Sequence, residues 1–270
     1  QQFVPEIRHM FVPKPGHVFI SRDYSQLEAK LLAYLSGDQV SIDVFESGGD
    51  VHLANAIDLF QKTTISKSER DYAKAHLYRI CYGGIGSEKE RTSCPCERWG
   101  CAEKAPQIVD LKRADKLMLE RRWFMIHEAV PKYHRNLVEQ VKRKHYYDHP
   151  LGGRRYFTSP WSSSLEREIL NFPMQYGSAV IMSRAQIKLD KLNAPIILQM
   201  HDEFILEVPE AQISKWMDAT KEIMESPVEE LGGVSFNTDC EVGLNWGPKS
   251  DNNPWGMREI KDVSEWQHRQ

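Results

Sequence analysis

A chain of 270 residues with 41% hydrophobic and 10% aromatic side chains can bury one large core or two modest ones. No apolar run reaches membrane-spanning length, so no membrane partner is expected. A net charge of −3 excludes a uniformly basic surface, and any grip on a phosphate backbone must come from a local patch.

The chain opens Gln1-Gln2-Phe3-Val4-Pro5, without an initiator Met or a secretory signal, and is expected to be a fragment or processed piece. Val18-Phe19-Ile20 reads as a buried strand. Asp23-Tyr24-Ser25-Gln26-Leu27-Glu28 follows, then a helix marked by Leu27, Leu31, Leu32 and Leu35. Asp23 thus falls at a strand end, where ligands collect. Ser25-x-x-Glu28 fits a capping box, which gives Glu28 an ordinary structural job, and Gly37 fits the C-cap. Gly48-Gly49-Asp50-Val51-His52 turns into a helix running to about Phe60.

Arg70, Lys74, Tyr78 and Tyr82 recur every fourth residue and share one helix stripe. Cations at a helix start oppose the macrodipole, and a bound anion offsets that penalty. A triphosphate under Arg70 and Lys74, with a base stacked on Tyr78 or Tyr82, explains the stripe; a solvated cation row above half-buried tyrosines fits the same spacing. Gly83-Gly84-Ile85-Gly86 breaks this helix and, coming after one, makes a poor phosphate loop. Cys94, Cys96 and Cys101 form a C-x-C-x₄-C group. Five cysteines suggest a reducing compartment, so reduced thiols are preferred over a structural Zn²⁺, for which Cys81 or His127 would be the nearest fourth ligand, or over a disulfide in an exported protein.

A helical, highly charged pattern covers about 106–144, and 151–156 is a turn containing Arg154 and Arg155. Residues 131–156 carry seven Lys/Arg against two acids, a net of +5 that suits a phosphate backbone or a solvated helix face. Another helix spans about 166–192, kinked at Pro173, with Arg167, Asn171 and Gln175 in one polar stripe. Two apolar runs, 195–198 and 204–208, flank Gln199-Met200-His201-Asp202-Glu203 and predict a β-hairpin. Adjacent carboxylates on a tight turn repel each other unless a cation sits beside them, which points to a divalent metal shared with Asp23. Residues 211–231 predict an amphipathic helix and 234–242 a strand; after Gly247 a polar, weakly packed tail is expected.

In this order, the segments resemble the family A DNA polymerases. Asp23-Tyr24-Ser25-Gln26-Leu27-Glu28 looks like motif A, Arg70-x₃-Lys74-x₃-Tyr78-x₃-Tyr82-Gly83 like motif B, and Met200-His201-Asp202-Glu203 like motif C. Gly-Asp-Val-His ending at His52, Gly-Arg-Arg-Tyr at 153–156 and Glu166-Arg167-x₃-Asn171-x-Pro173-x-Gln175 extend the likeness from about Gln1 to Gly247. The resemblance implies an α+β fold: a palm with an antiparallel sheet at 1–38 and 164–247, mostly helical fingers at 39–163, and a polar tail at 248–270. The family's thumb and exonuclease are expected to lie outside this chain.

The implied activity is template-directed addition of dNMP to a primer 3′-hydroxyl, with primer–template DNA and dNTPs as partners. An upstream thumb or exonuclease segment or a processivity factor is a further partner. The implied setting is the cytoplasm of a bacterial or phage-infected cell, with an organelle left open. Catalysis would rest on Asp23, Asp202, Glu203 and Lys74. Two Mg²⁺, replaceable by Mn²⁺, would be held by Asp23, Asp202 and the Tyr24 carbonyl. Tyr24, Gln26, Glu28, His52, Arg70, Lys74, Tyr78 and Tyr82 would contact the dNTP, with Glu28 excluding a ribose 2′-hydroxyl. Gly83, Arg154, Arg155, Arg167, Asn171, Gln175 and His201 would contact DNA. A Tyr at 78 is associated in the family with acceptance of dideoxynucleotides. Arg79, Val180 and the cysteine loop depart from the common pattern. Two alternatives stand beside this reading: a palm–fingers fragment that binds primer–template without turnover, and a single-subunit RNA polymerase relative, against which Glu28 argues.

Overall fold

The computed structural model describes residues 5–81 and 113–266. After a 3₁₀ turn (Pro5–Met10) come β1 (His17–Tyr24), α1 (Leu27–Ser36), α2 (Gln39–Glu46), α3 (Val51–Phe60) and α4 (Lys67–Cys81). Then follow α5 (Arg113–Ile126), α6 (Ala129–Lys144), β2 (Tyr146–Asp148), β3 (Arg154–Tyr156) and α7 (Ser163–Lys191). The chain finishes with β4 (Ile196–Met200), β5 (Glu203–Pro209), α8 (Ile213–Met224), β6 (Thr238–Gly243) and β7 (Arg258–Glu259). The α+β class expected from the sequence is the one observed. Among the described residues no helix is long and apolar enough to cross a membrane.

Two compact units divide the chain, one of residues 1–27 with 178–270, the other of 28–177. The first is built on a five-stranded antiparallel sheet in the order β4-β5-β1-β6-β7. β1 is central, and its alternation sorts side chains onto two faces. Arg22 and Tyr24 point at α8: Arg22 Nη2 donates to Met217 O (2.7 Å) and Tyr24 Oη to Met224 O (2.8 Å). The helix presents Ile213, Trp216, Met217, Thr220 and Met224, a buried stripe at helical spacing. Each large apolar side chain so buried contributes about 1.5–3 kcal/mol. Ser21 and Asp23 take the opposite face of β1 by alternation.

Three expectations for this region need correction. The helix predicted over 211–231 ends at Met224, because Pro227 disfavours helical geometry in the residue before it. The strand predicted from Val234 begins at Thr238; Val234 only bridges Val228 across Gly232 and Gly233, both left-handed. The tail is not weakly packed: β7 pairs with β6, Met257 and Ile260 are buried, and the buried amides of Asn245 and Asn253 bond each other reciprocally. Gly243 is required there, since a Cβ on it would stand 2.7 Å from the Met257 nitrogen.

In the second unit α6, the β2–β3 hairpin and the first part of α7 close over Leu137, Val141, Phe157, Leu165 and Ile169. α7 is one helix through Pro173, whose carbonyl accepts from His149 Nε2 (3.0 Å). The continuous helical pattern expected up to Lys144 is broken between α5 and α6 at His127 and Glu128. His127 sits there almost fully buried. Its Nδ1 lies 2.7 Å from Asp38 Oδ2, its Nε2 3.4 Å from Asp58 Oδ2, and its ring stacks on Trp123 at 4.1 Å. It thereby ties the start of α2 to α3 and α5.

Burial opposes a charge on His127, but its hydrogen bond to the Asp38 carboxylate, together with the nearby Asp58 carboxylate, outweighs burial and raises the pKa above 6.5. Burial likewise opposes a charged Asp38, yet the hydrogen bonds and charge of His127 and the Ser41 hydroxyl pull its pKa below 3.8. A raised histidine stabilises below its unfolded pKa and stops doing so as pH climbs through its folded value. A lowered carboxylate stabilises above its unfolded pKa and stops as pH falls through its folded value. The pair is therefore worth most between pH 3.8 and 6.5. Thermal unfolding from pH 6 to 9 should show a steeper loss of stability in the native chain than in His127→Gln. That variant should be about 3 kcal/mol less stable at pH 6; parallel pH curves would refute the assignment.

Candidate active site

β1 and β5 pair with Asp23 opposite Glu203, and β1 and β6 with Asp23 opposite Asp239. His201 and Asp202 make the tight turn between β4 and β5. His201 adopts φ 54°, a conformation that histidine tolerates better than bulky residues, and the Tyr24 N–H donates to the Asp202 carbonyl (3.1 Å). The expected hairpin is thus observed, and it brings Asp202 close enough to Asp23 for the charge of one carboxyl to act on the other.

This arrangement is electrostatically expensive. Loss of hydration raises the Asp23 pKa to about 8, with the charges of Asp202, Glu203 and Asp239 adding to it. Asp23 nevertheless keeps an open side to solvent. Burial also raises Asp202 and Glu203. Glu203 is partly relieved by the Ser21 hydroxyl, which donates to its Oε1, and by the positive charge of Arg8. Arg8 lies 4.6 Å over the Trp246 ring. Arg8 has no periodic or spacing signal in the sequence.

Ser25 does not form the expected capping box. Its hydroxyl donates to Asp239 Oδ2 (2.7 Å), Gln26 turns left-handed at φ 58°, and α1 starts only at Leu27. The Gln26 side-chain oxygen is buried without a hydrogen-bond partner. A capping box that was not expected occurs on α4: Ser66 N–H donates to Glu69 Oε2 (2.9 Å) and Glu69 N–H to Ser66 Oγ (3.3 Å). Its signal, S-x-x-E at 66–69, is present in the sequence.

The second unit gathers Arg70, Lys74, Tyr78 and His52. The first three lie along α4, and His52 lies in the first turn of α3 with its ring 5.8 Å from Tyr78. Asp50 caps α3 and ion-pairs with Arg70 at 2.7 Å. Lys74 is exposed, while His52 is buried with neither ring nitrogen hydrogen-bonded. Burial, reinforced by Lys74, presses the His52 pKa down to about 4, so its ring is uncharged near neutrality. Glu28 lies in the first turn of α1. Tyr82, Gly83, Cys94, Cys96 and Cys101 fall outside the described residues. Cys81 is a buried free thiol, and His127 is already engaged by Asp38 and Asp58, which removes it as a spare zinc ligand.

Arg154 and Arg155 are both paired: Arg154 is forked onto Asp148 (Nε–Oδ1 2.6 Å, Nη2–Oδ2 3.0 Å) and Arg155 bonds Glu168. Arg167 and Gln175 are exposed on α7, with Asn171 half-buried between them. His201 is exposed beside Asp202 in the turn.

Among the described residues no group of three or more His, Cys, Asp or Glu side chains could hold a metal ion. The Asp23–Asp202 pair is a smaller donor set, but it fits Mg²⁺, a hard cation that takes one or two carboxylates and completes its shell with water and phosphate oxygens. Burial raises the proton affinity of both carboxyls, and at Asp23 the neighbouring carboxylates add to it.

Residues 1–248 match the family model for DNA polymerase family A. DNA polymerase I of Chloroflexus aurantiacus is 31% identical over 259 residues, covering 91% of this chain and 26% of that protein. The DNA polymerase of Mycobacterium phage D29 is 33% identical over 246 residues, covering 89% and 37%. The solved POL domain of Pol1 from M. smegmatis, in complex with DNA primer-template and dNTP, superposes with a TM-score of 0.75 at 25% identity over 92% of this chain and 43% of that one. This chain belongs to DNA polymerase family A. It spans about a quarter to over a third of the length of these curated relatives.

Charge crowding at Asp23 predicts a trade between stability and metal binding. A carboxyl with a raised folded pKa stabilises at low pH and ceases to as pH climbs towards about 8. Without metal, Asp23→Asn should therefore unfold at a higher temperature than the native chain at pH 8, by on the order of 1 kcal/mol given its solvent screening. Millimolar Mg²⁺ should raise the native midpoint and leave that of the variant unmoved. An equal Mg²⁺ response in both would remove Asp23 from the metal site.

Proposed function

We propose that this chain is the palm and fingers portion of a DNA-directed DNA polymerase that transfers dNMP from a dNTP to a primer 3′-hydroxyl. The sheet unit is read as palm and the helical unit as fingers. One observation carries the reading: Asp23 and Asp202, remote in sequence, meet as a carboxyl pair at the end of an antiparallel sheet. Family membership supports the same chemistry.

Asp23, Asp202 and the Tyr24 carbonyl would hold Mg²⁺. Two such ions, when bound, lower the pKa of the attacking hydroxyl and neutralise the leaving pyrophosphate. The remaining work belongs to side chains. Asp23 and Asp202, whose proton affinity burial raises, must be ionised to act as ligands. Glu203, steadied by Ser21, keeps further negative charge beside the pair. Arg70 and Lys74 bind the phosphates and stabilise charge on the leaving group. His52, uncharged, serves them as a hydrogen-bond donor rather than a cation. Tyr78 offers a face for the base, and Glu28 excludes the 2′-hydroxyl. Base choice comes from pairing with the template, not from side-chain readout. Arg167, Asn171, Gln175 and His201 contact DNA, and Arg154 and Arg155 do so by exchanging their carboxylate partners for phosphate.

Primer extension by the purified chain should depend on Mg²⁺ and fall at least about a thousandfold in Asp202→Asn. Extension undiminished in that variant would assign the activity to a contaminant, and primer–template binding without any extension would favour a binding module. Dideoxynucleotide use separates a finer point. Tyr78→Phe should increase discrimination against terminators by about tenfold or more; identical terminator use by both forms refutes the role of the Tyr78 hydroxyl.

A further inference from the structure

Asp50 has two tasks in the second unit. Its Oδ1 accepts from the N–H groups of His52 (2.9 Å) and Leu53 (3.2 Å), which caps α3. Its Oδ2 accepts from Arg70 Nε (2.8 Å) and lies 2.7 Å from Arg70 Nη2. The carboxylate cannot swing, because the backbone of α3 fixes one oxygen while the other faces the guanidinium. Arg70 stands on a different helix, twenty residues on, so the contact transfers the rigidity of the α3 start to a side chain on α4.

An arginine has five N–H donors on a planar fork. Asp50 uses the Nε–Nη2 edge of Arg70 and leaves both Nη1 hydrogens and one on Nη2. A long side chain held by one edge has already lost its rotamer freedom before any ligand arrives. Both residues are more than a third exposed or nearly so, 39% and 35%, and the ion pair by itself adds little stability. Lys74, one turn further along α4, is exposed and has no such anchor among the described residues.

We propose that Asp50 is the positioning residue for Arg70: it grips the inner edge of the guanidinium so that the Nη1 end is presented, pre-aligned, to the triphosphate. This rests on the reading of Arg70 as a phosphate ligand. The opposite outcome is chemically conceivable, since Asp50 also brings a negative charge towards an anion site. The geometry decides against it: Asp50 occupies one edge of the guanidinium and leaves another open, and its charge is already shared with the α3 N-terminus and Arg70.

The test is equilibrium binding of Mg·dNTP to the full chain with primer–template, read beside the thermal midpoint. Asp50→Ser keeps a good N-cap but is too short to reach Arg70. Asp50→Asn keeps the size and removes the charge. Both should weaken dNTP binding about tenfold with little change in midpoint. In an Arg70→Ala background neither should weaken it further, because Asp50 acts only through Arg70. Asp50→Glu should recover part of the affinity. Tighter binding by Asp50→Asn would make Asp50 a competitor of the nucleotide and overturn the proposal. A loss that persists in the Arg70→Ala background would reduce it to a helix cap. If Arg70→Ala itself binds dNTP like the native chain, the phosphate-ligand reading fails and the proposal falls with it.

Discussion

Asp23 and Asp202 repel each other, and the sheet holds them together all the same. The direction of Asp23 is fixed by strand alternation: its neighbours Arg22 and Tyr24 face the other way and are bonded to carbonyls of α8. The direction of Asp202 is fixed by a two-residue turn whose carbonyl accepts from the Tyr24 backbone. Neither carboxyl can retreat without breaking bonds on the far side of the strand. Burial of Ile20, Phe204, Leu206 and Val242 supplies the stability that this strained pair consumes. The sheet thus concentrates negative charge at one end of β1, where Asp202, Glu203 and Asp239 surround Asp23.

The second unit has the converse economy. Its cations are plentiful, and several are neutralised by carboxylates of the same chain: Arg70 by Asp50, Arg154 by Asp148, Arg155 by Glu168. These pairs are solvent-exposed, so each is worth a kcal/mol or less. They hold the arginines in defined poses. Lys74, on the same stripe, has no carboxylate partner among the described residues and is exposed to solvent.

Much of this was readable in the sequence because the carriers are local. The hairpin around His201 and Asp202 follows from two apolar runs and a short polar step, and the strand before Asp23 from three apolar residues. The Arg70–Lys74–Tyr78 stripe follows from helical periodicity alone. What stayed hidden depends on tertiary partners. Ser25 matches a capping box, but Asp239, on β6, claims its hydroxyl. His127 carries no periodic signature that separates a buried hub from a spare ligand; only Asp38 and Asp58, from two other helices, define it. Arg8 joins the acidic cluster through a Trp246 platform far down the chain. The polar composition after Gly247 suggested a loose end because buried asparagines count as polar until their mutual bonding is seen.

That closing segment lies beyond the family match, which stops at 248, yet it completes the sheet. A sheet has two flanks. β7, only two residues long, shields β6 and is too short to template another strand. The uncovered flank among the described residues is β4, where Ile197 and Leu198 are 53% and 38% exposed. An object with one sticky side associates differently from an object with two. Pairing through one edge alone would close as a twofold pair, whereas two open flanks would allow a filament. By pairing with β6, the extension leaves β4 as the sheet edge with unpaired backbone groups among the described residues.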